Sequence, residues 1–275
     1  MILAIIIVCM VFFLGVYVFA AFHKAQDLTK KRPVEYLLNE RNRSPDYCPW
    51  DQISEELKKY FVLIEDPGFF KRSRTPLKSF IIRGYSYYFE KDQIIHGSTI
   101  SQQLAKNLYL RFDRTLFRKI TEYFICLKIE RRLTKEEIFT FYLNIIYFGN
   151  NIYGISNASE YYFSKKPAEL TANQAIFISC LIAAPNAADP VHYPDTFYNF
   201  KIRKLEKCFQ EGLISEKELR YFCSFPEDCP DPEFAPYFSR TEKTPVVRME
   251  NECFGPFHSH ETEQKASGET PEFRE

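Results

Sequence analysis

The sequence predicts a mainly α-helical domain preceded by one N-terminal transmembrane helix, and three observations carry that prediction. Ile2 to Phe22 holds no charged residue and is rich in Ile, Val, Leu and Phe; about 20 apolar residues suffice to cross a bilayer as a helix. Later segments open on Ser or Thr caps and carry apolar residues at helical spacing. Alternating runs long enough for a sheet are absent.

The apolar run reads as an uncleaved anchor, residues 1–23, because it is too long for a signal peptide and no basic segment precedes it. Lys24, Lys30, Lys31 and Arg32 follow it, and by the positive-inside rule alone they would hold the rest of the chain in the cytoplasm. A polar tether, 24–49, is expected next, then one folded domain over 50–225. Ser54 caps a helix with Leu57, Phe61 and Ile64 on one face, ended by Pro67-Gly68 after Glu65-Asp66. Thr99 and Gln102 form a capping box for a second helix with the stripe Ile100, Leu104, Leu108. A third runs from Thr115 to Arg132, with Phe117, Ile120, Phe124 and Leu127 as its apolar face. A fourth has the box Thr134/Glu137, the staple Leu133/Ile138 and the stripe Ile138, Phe141, Tyr142, Ile145, with Gly149 as its stop. A fifth starts at Thr171 with Gln174 and ends before Pro185; a sixth covers about Phe197 to Glu211. Past Pro226 the chain is rich in Pro, Glu, Ser, Thr and Lys, and 226–275 is expected to be disordered.

Composition excludes some functions. Lys plus Arg and Asp plus Glu are equal at 36, so no global field points to nucleic acid. The eight cysteines show no CxxC pair and no Cys/His ligand spacing, so no metal site is expected; Cys126 and Cys180 read as core.

Chemistry concentrates elsewhere. "GSTISQQLAKN", Gly97 to Asn107, crowds hydroxyls, two adjacent glutamines and an ammonium into a helix start. It leads into a cluster in which Lys106, Arg111, Arg114, Arg118, Lys119, Lys128, Arg131, Arg132 and Lys135 outnumber Asp113, Glu122 and Glu130. A solvated helix face with pairs such as Arg118 and Glu122 is the plain alternative. Yet hydroxyls and amides suit sugars while Lys and Arg suit phosphate, and a sugar diphosphate would use the whole set.

Five stretches in series carry a family resemblance: "EDPGFF" (Glu65 to Phe70), "GSTISQQLAKN", "RKITE" (Arg118 to Glu122), "KEEIFTFYLNIIYFGNNIYGISNASEYYFSK" (Lys135 to Lys165) and "LTANQAIFISCLIAAPNAADP" (Leu170 to Pro190). Together they resemble the five motifs of the peptidoglycan glycosyltransferases, glycosyltransferase family 51, in its monofunctional form, over about Trp50 to Phe222. The resemblance implies a lysozyme-like helical domain at the outer face of a bacterial cytoplasmic membrane, single-pass, polymerising lipid II into glycan strands. It implies Glu65 as the base that takes the acceptor proton and Glu122 on the donor side near the diphosphate. Lys106, Arg114, Arg118, Lys119 and Arg83 would hold phosphates, and Ser98, Thr99, Gln102, Gln103 and Asn107 would line the sugar and phosphate pocket. The implied partners are lipid II, the growing strand, the membrane and other cell-wall synthesis proteins. No obligatory cofactor is implied; the diphosphate is where a divalent cation, Mg2+ or Mn2+, would act. Most motif-four residues, Tyr142 among them, read as packing and turns.

This chemistry is self-consistent, because a diphosphate leaves as a stable anion, so cations replace the second, acidic carboxyl group that a glycosidase needs. The chain departs from the motifs at Arg72, where a histidine is usual, at Arg74 and His96 in place of glycines, and at Gln174 in place of glutamate. A lytic glycan cleaver is the rival enzyme, and it would not need the cations; a degenerate anchored scaffold is the non-enzyme rival. A transpeptidase domain is not expected, since the sequence contains no Ser-x-x-Lys.

Overall fold

The computed structural model describes residues 1–77, 80–81, 98–110, 115–182, 190 and 192–223. They are mainly α-helical, as expected, with one isolated bridge, Tyr147 to Tyr153, outside the helices. The expected tail, 226–275, lies outside the described residues.

Helix α1, Ile2–Lys31, continues past the uncharged run, and its side chains are exposed over most of that run. After Pro33, helix α2, Val34–Asn42, buries Val34, Leu37 and Leu38. The stretch expected to be a polar tether therefore contributes to the core, and Cys48 follows it inside. Asn144 fixes this entry: its amide donates to the Cys48 carbonyl and its Oδ1 accepts from the Cys48 N–H, both at 2.8 Å. Without that cap two backbone groups would be buried unpaired.

Helix α3, Glu55–Glu65, starts on the Ser54 cap and ends before Pro67 as read from sequence. Its Phe61 packs edge-on against Phe139 and Tyr142 at 5.6 and 6.0 Å between ring centroids. Each such buried ring contributes about 2 kcal/mol, and the contact fixes the height at which Glu65 leaves the helix. Helix α4, Ile100–Tyr109, has the expected Thr99/Gln102 capping box.

Helix α5, Leu116–Arg132, begins where the Thr115 cap predicts, but its core face differs from the expected one. Lys119, Thr121, Glu122, Ile125, Cys126 and Ile129 are the buried side chains. Phe117 and Phe124, expected in the core, instead meet Tyr17 and Phe22 of α1 at 5.4 and 5.3 Å between rings. A helix packed against α1 on one side and α4 on the other is covered on two faces; the more apolar face went to the anchor and the face with buried charge went inward.

Helix α6, Lys135–Ile145, has the expected Thr134/Glu137 box but stops before Gly149. Gly149, at φ 90°, turns the following loop, which the Tyr147–Tyr153 bridge closes. Helix α7, Ile155–Phe163, follows Gly154 with no side-chain cap, so the sequence lacked its usual start signal. Helix α8, Ala172–Leu181, keeps the Thr171/Gln174 box and is buried from Asn173 to Leu181. Helix α9, Pro194–Gln210, starts three residues earlier than expected, with Pro194 in its first turn. Helix α10, Glu216–Cys223, packs Leu219 and Phe222 inward.

Candidate active site

The site forms where the end of α3 meets the start of α4. Asp66, fully buried, accepts from the backbone N–H of Ile100 at 3.1 Å, so the residue after Glu65 caps the helix that carries the glutamines. Arg72 pairs with both oxygens of Asp66, one at 2.7 Å. The arginine that departs from the family motif is thus committed to the joint between two helices. An arginine fork matches a carboxylate bidentately and still leaves Asp66 able to cap.

Glu65 is buried, with two donors on its carboxylate. The Lys204 ammonium, from α9, reaches Oε1 at 2.6 Å, and the Gln103 amide donates to Oε2 at 3.0 Å. Burial, the largest influence on Lys204, lowers its pKa, but the charge and hydrogen bond of Glu65 more than offset this and the pKa is raised. Gln103 is held from both ends: its amide also donates to the Ser98 carbonyl at 3.3 Å, and its oxygen accepts from the Tyr142 hydroxyl at 2.7 Å. Burial first, then the charges of Glu65 and Asp66, push the Tyr142 pKa well above its ordinary value, so the phenol stays a donor.

Glu122 occupies a different setting. It is buried on α5 between two cations, with Arg118 on Oε2 at 2.5 Å and Lys119 on Oε1. The Lys119 ammonium also donates to the Ser98 hydroxyl at 2.7 Å. Ser98 therefore links the two carboxylates, its carbonyl accepting from Gln103 and its hydroxyl from Lys119, in the series Lys204, Glu65, Gln103, Ser98, Lys119, Glu122, Arg118. Lys106 lies within electrostatic reach of both. Its pKa is lowered, first by burial and then by Lys119 and Arg118, against the opposing pull of Glu122 and Glu65. A half-buried cation crowded by like charges is a ready partner for an added anion.

Of the residues expected at the site, Glu65, Gln103, Ser98, Lys106, Arg118, Lys119 and Glu122 come together. Thr99 and Gln102 are 1% exposed and serve the capping box, Thr99 accepting from the Gln102 N–H at 3.2 Å and Gln102 accepting from the Thr99 N–H at 2.9 Å. Their side-chain oxygens are used by the helix cap. Asn107 is exposed near the end of α4. Arg83 and Arg114 lie outside the described residues, as do Arg111 and His96. The cation cluster divides: Lys128, Arg131 and Arg132 line a cleft against α1, and Lys135 meets Glu130 at 3.3 Å and lies over the Phe69 ring.

Two participants escaped the sequence reading. Lys204 lies 139 positions from Glu65, and nothing in its amphipathic surroundings separates it from a surface lysine. Tyr142 was read as packing; its amide partner Gln103 lies 39 positions away on another helix, and such a contact has no sequence signature.

A family model described as "Transglycosylase" matches residues 30–207, which include α2 and Lys204. A monofunctional glycosyltransferase of Staphylococcus haemolyticus is 32% identical over 200 residues, 70% of this chain and 73% of that protein. A putative transglycosylase of Cupriavidus necator is 34% identical over 176 residues, 64% of this chain and 75% of that protein. Penicillin-binding protein 4 of Bacillus subtilis is 35% identical over 172 residues, and there the match spans only 28% of the relative's length. With a family match over more than half of its length and two relatives matched over most of theirs, this chain belongs to the transglycosylase family.

Proposed function

We propose that the protein is a peptidoglycan glycosyltransferase that polymerises lipid II, with Glu65 as general base. The acceptor sugar 4-hydroxyl gives its proton to Glu65 as its oxygen bonds to the donor anomeric carbon. The bond from that carbon to phosphate breaks, and polyprenyl diphosphate leaves with the electron pair. The observation that carries this reading is the continuous chain from Glu65 through Gln103 and Ser98 to Lys119 and Glu122, with Lys106 feeling both carboxylates. A base and an anion site joined by one fixed link suit a reaction in which a proton is taken at one end and diphosphate charge develops at the other.

Lys204 holds one oxygen of Glu65 before the acceptor arrives, and the neutral Gln103 amide is the partner that an incoming hydroxyl can displace without stranding a charge. Lys106, Arg118 and Lys119 would hold the diphosphate, with Arg114 and Arg83 as further candidates. Both carboxylates are already paired, so a divalent cation, Mg2+ or Mn2+, would ride on the diphosphate. A lytic cleaver is disfavoured because cations occupy both oxygens of Glu122, so it does not offer the second carboxyl group that a glycosidase needs beside a leaving alkoxide.

Helix α1 is long and apolar enough to cross a membrane, and we place the domain on the outer face of the cytoplasmic membrane, where the sugar-bearing lipid would be met. Long domains are exported largely regardless of flanking charge, which answers the contrary signal of Lys24 to Arg32.

The test is polymerisation of labelled lipid II by the purified full chain, compared with Glu65→Gln. Polymer from the parent and almost none from the variant is expected. Equal output from both would remove Glu65 as the base; none from either would favour the scaffold.

A further inference from the structure

A cleft of about 560 Å3 opens between the last turns of α1, the start of α2 and the end of α5. Val34, Ile129 and the Tyr109 ring give it an apolar floor. Lys30, Lys128, Arg131 and Arg132 stand around it with the carboxylate Glu35, a surplus of three positive charges (four less one) among these described residues. Glu35 lies 3.6 Å from Arg132. Lys128 is fixed in place by α1, donating to Thr29 at 2.8 Å and to Gln26. Its pKa is lowered, first by burial and then by Arg132 and Arg131: the cations crowd one another.

The cleft is separate from the glycosyl-transfer site. Lys128 and Lys119, like Arg131 and Glu122, are nine residues apart, which at 3.6 residues per turn sets each pair on opposite faces of α5. Its height is set by α1. The uncharged run ends at Phe22, so at 1.5 Å per residue Gln26 and Thr29 stand about 6 and 10 Å beyond it. The headgroup layer occupies about 5–8 Å on each side of the hydrocarbon, and lysine and arginine side chains reach down to it.

We propose that this cleft binds the phosphate of an anionic glycerophospholipid from the bilayer that holds α1. The inference rests on the reading of α1 as a membrane anchor. The cations take the phosphodiester, the apolar floor takes the glycerol end of the acyl chains, and the bound lipid ties α1 to α5, setting the height of the catalytic face above the membrane. A soluble phosphate would have no use for the floor.

The experiment places the full chain in phosphatidylcholine nanodiscs with and without phosphatidylglycerol and measures, by native mass spectrometry, the lipid retained on release. Phosphatidylglycerol should be held in preference to phosphatidylcholine. Arg131→Gln with Arg132→Gln, both on exposed side chains, should weaken that preference about thirtyfold, since each cation near an anionic surface contributes about a factor of five. Lys128→Met should weaken it as well. Unchanged preference in both variants would overturn the proposal, as would equal thermal protection by soluble glycerol phosphate. A parent that fails to enter phosphatidylcholine discs would sink the anchor reading, whereas one that enters but holds phosphatidylglycerol no better than phosphatidylcholine would sink the cleft alone.

Discussion

The surroundings of Glu65 and of Glu122 make an instructive pair. Both carboxylates are buried and both lie in the same hydrogen-bonded chain, yet Glu65 is held by one cation and one neutral amide, and Glu122 by two cations. Displacing the amide from Glu65 costs one hydrogen bond, about 1 kcal/mol net, whereas displacing a cation from Glu122 strands a buried charge. On the proposed mechanism the same residue type takes two tasks: Glu65 exchanges a partner for a reacting hydroxyl, and Glu122 holds its cations in position. The charge of the second partner is then what separates a base from a brace.

The sharpest way to break this comparison is to neutralise each carboxylate in turn. Glu65→Gln should lower glycan polymerisation by about a thousandfold, within the span for loss of a general base. Glu122→Gln should cost less than about a hundredfold and should raise the thermal shift on adding inorganic pyrophosphate, because Arg118 and Lys119 then lack their carboxylate. Equal losses, with no change in the pyrophosphate shift, would erase the distinction.

Next in size is Lys204→Met, which should destabilise the fold by about 3–5 kcal/mol by removing the cation from buried Glu65 and leaving it only the neutral Gln103 amide. Lys204→Met with Glu65→Gln should recover most of that, as measured by denaturant unfolding, and failure to recover would mean that lost packing, not charge, is responsible. The pH dependence has a definite sign. The Lys204 pKa is raised above its ordinary 10.5, so the stabilisation from the pair is complete below about that value and is lost as pH climbs through the folded-state value. The parent should therefore lose more stability than Lys204→Met in strongly alkaline solution.

Legibility from sequence follows the range of the interaction. The starts of α3, α4, α5, α6 and α8 were readable because a cap and its partner lie within three residues of each other. Helix α7 follows a glycine and has no such cap, and it was missed. At the site, Glu65, Gln103, Lys106, Lys119 and Glu122 could be named because they sit in recognisable motifs. Thr99 and Gln102 sit in the same motif but carry helix caps: a capping box and a binding loop use the same residue types, and only burial separates them. Lys204 was invisible because a lysine at helical spacing among Leu205 and Cys208 carries no mark of an ion pair formed across the fold. The positive cluster misled in one respect, since periodicity alone did not divide its cations between the catalytic face of α5 and the face toward α1.

The smallest predicted effect tests the neutral side of the comparison. Tyr142 donates to the Gln103 oxygen, and with that oxygen occupied the amide N–H groups are left for Glu65 and the Ser98 carbonyl. Tyr142→Phe keeps the ring, and so the contact with Phe61, but leaves the Gln103 oxygen short of a donor. A loss of about 1–2 kcal/mol in stability is expected, together with a severalfold fall in polymerisation rate as the amide loses its fixed orientation. Because the variant removes no charge, the alkaline limit set by Lys204 should not move. A rate loss as large as that of Glu65→Gln would mean that the hydroxyl acts on the proton itself, and the division between a charged and a neutral partner of Glu65 would have to be redrawn with Tyr142 inside the chemistry.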